Sequence, residues 1–350
     1  MSALGIVKIK RRYDECMPCR LPGHVADEPF GLEGRYSKGI RRLAVYAGTD
    51  NAFRKGSEAL KEFLGLELCP NTVRELCQQE APKMQEWRQQ SSEIQKDFLD
   101  APGNVEITMD GTCVNTTCGY REVKVAIVSK RELGKGVLPK QWSKRKLPDI
   151  GACVAFAAVE KKDRFQKRFR HWRRRLRLGS TGDISALGDG AAWIWNIVRS
   201  EFGKVRECLD IYHALEHLSD TGKVLYGEET DAYKQWYEEV KLELLQGGFG
   251  GMEKRLDGLL LEKKKRREKE SLRNLKKYLS SQRERLNYRE RLAEGRVIGS
   301  GQVEGACKNL IGKRLKQTGA QWKVRRLNRM TILCAVRYCD QWKNYWANAK

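Results

Sequence analysis

The sequence predicts an α/β fold in which helices flank a mixed sheet of five strands. Two strand-like runs, 105–112 and 121–129, frame a turn region, and a third apolar run follows at 150–159. Two later runs end on or near an aspartate, Asp189 in one and Asp210 in the other, and helical patterns separate them. Strands that alternate with helices in this way are typical of α/β proteins.

The composition limits the class of protein. The chain has 350 residues, with 68 Lys and Arg against 45 Asp and Glu, which is a formal net charge of +23. This imbalance indicates a polyanionic partner, and DNA is the first candidate. No apolar run approaches the roughly 20 residues of a membrane-spanning helix, so we expect no membrane partner. Because no secretory signal is recognisable, the eleven cysteines suit reduced thiols in the cytoplasm.

The first hundred residues divide into two predicted segments. Residues 1–36 are β-like and carry Cys16 and Cys19, a CxxC pair that is half of a structural Zn²⁺ site, with free thiols as the alternative. Residues 37–100 are predicted to form a helix-turn-helix-like DNA-binding region and a connector helix, with an ordinary helical hairpin as the alternative.

The helix-turn-helix hypothesis rests on glycine and proline residues that separate two helical patterns. Gly65 breaks the first pattern, Pro70 starts the second and Pro82 closes it. Arg74 is the exposed side chain that we expect to contact DNA. A single apolar face is predicted for Phe53, Leu60, Phe63 and Leu64.

Residues 101–220 and 296–350 are predicted to be two parts of one core, separated by a helical insertion at 221–295. The order is three strands, helix, strand, helix, strand and a late helix, which is a ribonuclease H-like arrangement. One final amphipathic helix is expected at 321–346. Candidate DNA contacts on the arginine-rich helix and the late helix are Arg168, Arg173, Arg174 and Lys308.

Three acids are candidates for catalysis. Asp110 and Asp189 each close a strand-like run on an Asp–Gly pair, and Glu304 lies on the late helix. An isolated Asp–Gly pair is more often a turn, but open α/β sheets place their chemistry at the carboxyl edge of the strands. Two Mg²⁺ ions held by such acids can activate the attacking oxygen and stabilise the leaving one in phosphodiester chemistry. We expect Asp110 to bridge both ions, Asp189 to hold one and Glu304 the other.

A second pattern points to another class of enzyme. His213, Glu216 and His217 form an H-x-x-E-H sequence, which in inverted zinc proteases supplies two metal ligands from one helix face. Interleaved apolar residues are typical of a packed helix instead, and a protease leaves the net charge of +23 unexplained. A zinc hydrolase is therefore the weaker hypothesis.

Four blocks of sequence resemble a known family. They are MDGT at 109–112, LGDGAAWIW at 187–195, LDIYHALEHL at 209–218 and GSGQVEGACKN at 299–309. In this order and spacing they resemble the Kra-type bacterial insertion-sequence transposases, a DDE group allied to the Mutator-like elements, over roughly residues 1–345.

The resemblance implies a DNA transposase with a ribonuclease H-like core and a helical insertion before the last acid. It assigns the catalytic triad to Asp110, Asp189 and Glu304, places Asp210 and His213 near the site, and implies Mg²⁺ or Mn²⁺ and a homo-oligomer on DNA. Members of the family often have a longer N-terminal region. The alternative is therefore a catalytically silent, truncated remnant that acts only as a DNA-binding protein.

Overall fold

The computed structural model of the protein describes residues 35–179, 183–299 and 301–349, together with three two-residue strands at Asp14–Glu15, Pro22–Gly23 and Leu32–Glu33. The first two of these strands pair antiparallel with each other, and the third pairs with Tyr36–Ser37. The predicted zinc ligands Cys16 and Cys19 lie outside the described residues, and so does the side chain of Glu304.

A mixed sheet of five strands positions the predicted acids. In chain order the strands are β1 (Asn104–Thr116), β2 (Gly119–Arg131), β3 (Ile150–Ala158), β4 (Ile184–Gly188) and β5 (Arg206–Leu209). Their spatial order is β3-β2-β1-β4-β5. β2 runs antiparallel to both β1 and β3, whereas β4 runs parallel to both β1 and β5. The predicted mixed sheet is confirmed.

The two longest strands form a hairpin that extends beyond the parallel part of the sheet. β1 and β2 pair along their whole length, up to a turn at Thr116 and Gly119. β4 pairs only with the first half of β1, as far as Met109. The second half of β1 therefore projects past the carboxyl end of β4, and Asp110 lies where this projection begins.

Helices occupy most of the remaining described chain. Before the sheet and within it they are α1 (Lys38–Asp50), α2 (Phe53–Leu64), α3 (Pro70–Gln90), α4 (Ser92–Asp100), α5 (Lys162–Arg175), α6 (Ala192–Phe202) and α7 (Ile211–Tyr226). After it they are α8 (Asp231–Glu262), α9 (Arg266–Ser281), α10 (Tyr288–Ala293), α11 (Gly301–Ala306), α12 (Lys313–Leu315), α13 (Val324–Tyr338) and α14 (Trp342–Asn348). A π-helical segment, Cys307–Gly312, joins α11 to α12.

Each face of the sheet is buried by a different group of helices. Val105, Ile107 and Met109 of β1 pack with apolar residues of α4, α5 and α6. The opposite face, which includes Val123 and Val125 of β2, packs with α1, α3, α13 and the segment around α11. Because side chains alternate along a strand, Asp110 lies on this second face.

The helical region before the sheet differs in two respects from the prediction. Pro82 does not close a helix, because α3 continues through it to Gln90. Ala81 and Met84 on either side of it are fully buried, so tertiary packing offsets the backbone hydrogen bond that proline cannot make. The predicted apolar face of α2 is wrong for Phe63, which is 81% exposed, and for Leu64, because α2 is buried only at Gly56 and Leu60.

The predicted insertion contains α8, α9 and α10, whose buried leucines share a core with α7 and β5. α8 is kinked at Gly248, where the backbone φ is 55°. A side chain at this position would lie 2.7 Å from the carbonyl oxygen of Leu286, so the kink requires glycine.

The chain does not end in one helix, contrary to the prediction. α13 stops at Tyr338, Asp340 adopts a left-handed φ of 51°, and α14 begins at Trp342. The break allows α14 to place Trp342 against Tyr46 of α1. Aromatic burial between helices therefore overrides the continuous helical pattern. Among the described residues, no helix is long and apolar enough to cross a membrane.

Candidate functional site

Three aspartates follow the last paired row of the parallel strands. That row consists of Met109 in β1, Gly188 in β4 and Leu209 in β5. The next residue in each chain segment is an acid, namely Asp110, Asp189 and Asp210. The sheet register therefore brings the predicted acids to one edge, where the carboxyl ends of β4 and β5 meet the middle of β1.

Asp110 is half-buried and both of its carboxylate oxygens accept hydrogen bonds. Oδ1 accepts from the backbone N–H of Gly111 at 2.6 Å, and Oδ2 accepts from the Cys307 thiol at 3.3 Å. Burial raises the pKa of Asp110 above its usual value, and the charge of Asp189 adds to the increase. The two hydrogen bonds and the nearby His213 oppose it. Asp110, Asp189 and His213 are thus electrostatic neighbours.

Asp189 forms the turn between β4 and α6. Its Oδ1 accepts from the backbone N–H of Ala191 at 2.8 Å, and the following Gly190 has a φ of 94°, which favours glycine. The hydroxyl of Tyr278 on α9 donates to the backbone carbonyl of Asp189 at 3.1 Å. Burial raises the pKa of Tyr278, with a further contribution from Asp189. The insertion therefore reaches the predicted site.

The side chain of Asp210 accepts a hydrogen bond from the backbone at the start of α7. It is fully buried, and its Oδ1 accepts from the N–H of Tyr212 at 3.0 Å as the N-cap of α7. His213 follows in the first turn, with Nδ1 3.6 Å from Glu216. A capping aspartate fixes the start of α7, so Asp210 positions the helix that carries His213.

The late helix packs beside Asp110. Val303 and Ala306 of α11 are buried against the face of β1 and β2. Residue 304 is on α11, three positions before Cys307. The contact from Cys307 to Asp110 therefore ties the chain around residue 304 to the first predicted acid.

The donors at this site fit a hard divalent cation only in part. Asp110 and Asp189 are oxygen ligands of the kind that Mg²⁺ and Mn²⁺ prefer, and burial, with a smaller contribution from Asp189, raises the pKa of Asp110. Within the described part of the chain, no group of three His, Cys, Asp or Glu side chains could hold a metal ion. A metal site therefore needs a further ligand. The side chain predicted for this role, Glu304, lies outside the part of the chain that the structure describes.

The same finding bears on the zinc pattern. The ring of His217 stacks on Tyr278, with centroids 3.9 Å apart, and burial lowers the pKa of His217. No third protein ligand joins His213 and His217 among the described side chains. The H-x-x-E-H pattern is thus placed on α7, where one histidine faces the acids and the other packs on the insertion.

The basic residues that were predicted to contact DNA differ in whether an acidic side chain already pairs with them. Arg168 donates to Glu160 at 2.6 Å, and Arg173 lies 4.0 Å from Glu201. Arg174 and Lys308 are both exposed. Ion pairing already satisfies part of the charge on Arg168 and Arg173, so Arg174 and Lys308 have more charge available for phosphates.

Arg74 is less exposed than predicted. Its side chain is 31% exposed and lies 4.0 Å from Glu75. α3 packs on α1, α2 and α13, and its outward side chains include the acids Glu75 and Glu86. α3 is thus a packed helix with both acidic and basic residues on its outward side, and the helix-turn-helix interpretation stays a prediction.

Two residues at the site escaped the sequence reasoning. Cys307 fits the apolar spacing of the late helix, and Tyr278 directly follows the highly charged run 262–277. The available sequence signal for the contact between Cys307 and Asp110 was the position of Cys307 three residues after Glu304.

The fold and site define a mixed α/β protein with acids at the carboxyl edge of its parallel strands. The model of one family, described as an uncharacterised protein family (UPF0236), matches residues 135–345. The chain therefore belongs to this family. No curated protein matches the chain.

Proposed function

We propose that this protein is a DDE-type DNA transposase that cuts and joins DNA strands at the ends of an insertion sequence. The observation that carries the proposal is that Asp110 and Asp189 both follow the last paired row of β1 and β4, with Cys307 of the late helix in contact with Asp110. Phosphodiester chemistry with metal ions needs carboxylates from separate elements at one point, and this sheet edge supplies two.

The order of the strands supports a ribonuclease H-like core. Three antiparallel strands continue into two parallel ones in the order β3-β2-β1-β4-β5, as the alternation of strands and helices in the sequence predicts. The blocks that resemble Kra-type transposases contain Asp110, Asp189 and Glu304, so the resemblance and the geometry agree on the first two acids.

Asp110 and Asp189, with Glu304, would hold Mg²⁺ or Mn²⁺, which when bound activates the attacking oxygen and stabilises the leaving oxyanion. The chain's own groups prepare the acids for this task. The thiol of Cys307 orients Asp110, and the hydroxyl of Tyr278 holds the turn at Asp189. Repulsion between the two carboxylates favours a cation between them.

The charge of the chain supports DNA as the partner. A net charge of +23 attracts the phosphate backbone, and exposed Arg174 and Lys308 are available for contacts. Joining two element ends requires that both be held at once, so we propose a homo-oligomer on DNA. A remnant that binds DNA without cutting it is the alternative, and it predicts the same charge without activity.

A nicking assay with the DNA that flanks the gene tests the proposal. Wild type is expected to cut at the element boundary in Mg²⁺, and Asp189→Asn to lose cutting by at least a hundredfold while retaining salt-sensitive binding. Asp163→Asn, which changes an exposed acid on α5, is the matched control and should cut normally. Binding without cutting by wild type would establish the remnant alternative, and equal cutting by Asp189→Asn would reject the assigned site.

A further inference from the structure

A cavity of about 510 Å³ opens beside the aspartates, between β1, the turn at Pro139–Lys144 and the segment before α11. Its volume lies within the range of small-molecule sites. Glu106 and Thr108 of β1 form part of its wall. Both share the face of β1 that carries Asp110, because residues two apart in a strand point the same way. Neither the catalytic proposal nor the packing of the core uses this cavity.

Part of the cavity wall is polar and enclosed by protein. Thr108 is 2% exposed, and its hydroxyl makes no hydrogen bond with the described residues. Gln302 accepts from Ser129 at 2.9 Å, and its side chain also interacts with Cys153. The Thr108 hydroxyl and the Gln302 amide are enclosed by protein, so a ligand in the cavity meets the charged and aromatic side chains of the remaining wall.

The remaining wall is charged and aromatic. Glu106 pairs with Arg131, whose Nε lies 3.1 Å from its carboxylate. Trp142 and Tyr212 line the same cavity with ring centroids 6.0 Å apart. Aromatic faces and a carboxylate together recognise a flat ring that carries hydrogen-bond donors, and guanidinium groups suit a phosphate.

We propose that this cavity receives one unpaired nucleotide of the bound DNA, next to the phosphate that is cut at the acidic edge of the sheet. Thr108 and Asp110 are separated by about 6.6 Å along the strand, which is about two nucleotide steps of 3.4 Å. The base stacks on Trp142, beside Tyr212. The inference rests on the proposed function, because it takes DNA as the substrate at Asp110.

Binding to two DNA duplexes tests the cavity without any cleavage. The probes are a 30-base-pair duplex with one extrahelical thymidine and the same duplex fully paired, compared by fluorescence anisotropy without divalent ions. Wild type should prefer the bulged duplex. Trp142→Ala should lose about fivefold to 150-fold of that preference, the range of one base–aromatic stack, whereas Trp142→Phe should keep most of it. Tyr120→Ala, which removes an aromatic ring that is 74% exposed at the hairpin turn, is the matched control.

A crosslink keeps the test independent of how the variants fold. With 5-iodouridine as the extrahelical nucleotide, light should join wild-type protein to the DNA at Trp142 or Tyr212. Crosslinks elsewhere, equal affinity for the two duplexes, or an unchanged preference in folded Trp142→Ala would overturn the proposal. Normal cutting without the preference would overturn the cavity alone, and the preference without cutting would contradict only the transposase.

Discussion

Replacing Asp110 by Asn should stabilise the protein when no divalent ion is present. Burial and the charge of Asp189 raise the pKa of Asp110 in the folded state, so the ionised carboxylate weakens folding. Asn retains an acceptor for the N–H of Gly111 and removes the charge. Each unit of pKa shift corresponds to about 1.36 kcal/mol. Because Asp110 is only half-buried, solvent screening reduces the expected gain to about 0.5–1 kcal/mol at pH 7.

The sign follows from proton linkage. A folded carboxyl with a raised pKa binds more protons than the unfolded one, so stability falls as pH rises from about 4 through the folded pKa. The advantage of Asp110→Asn should therefore be complete at neutral pH and shrink towards pH 4. For 350 residues, an unfolding entropy of about 0.7 kcal/mol/K converts this gain into about 1 °C in Tm.

Calorimetry with and without Mg²⁺ completes the test. At a hundred times its Kd, the ion should stabilise wild type by about 2.7 kcal/mol, or about 4 °C, and should leave Asp110→Asn nearly unchanged. Asp163→Asn should respond as wild type does. A less stable Asp110→Asn at pH 7, or an equal response of both proteins to Mg²⁺, would refute the reasoning.

Three further predictions follow from individual contacts. Glu80→Ala should lower the free energy of unfolding by about 3–5 kcal/mol in urea titration, because it removes the buried carboxylate that pairs with Arg41 and accepts from the hydroxyl of Tyr345; a loss below 1 kcal/mol would contradict this. Cys307→Ala should move the acid limb of the pH–rate profile for nicking upward by about half a unit, because Asp110 loses a hydrogen bond to its charged form; no upward shift would show that the thiol is inert. Arg174→Ala should lower the salt slope of DNA binding by about 1, whereas Arg168→Ala, already paired with an acid, should change it less; equal slopes would reject this distinction.

The sheet was predictable because its signals are local. The strand-like runs match β1 to β5, and the three aspartates follow the same paired row. The predicted strand end at Asp110 is wrong, because pairing with β2 extends β1 to Thr116. The alternation of apolar and polar side chains and the Asp–Gly pairs are patterns of consecutive residues. No knowledge of distant contacts was therefore needed to place Asp110 and Asp189 at one edge of the sheet.

Other features depend on distant packing and were missed. α3 runs through Pro82 because its neighbours are buried against other helices. The break before α14 places Trp342 on α1, and the contacts of Cys307 and Tyr278 with the site join segments far apart in the chain. A single sequence contains the residue types for these contacts but not their partners.

A metal-specificity switch at Asp189 tests the central claim most directly. Asp189→Cys replaces a hard oxygen ligand by a thiolate, which Mg²⁺ binds poorly and the softer Mn²⁺ tolerates better. Nicking of the gene's flanking DNA should be lost in Mg²⁺ and partly restored in Mn²⁺, while Asp189→Asn stays inactive in both ions. Equal nicking by Asp189→Cys and wild type in Mg²⁺ would contradict Asp189 as a ligand of the catalytic metal.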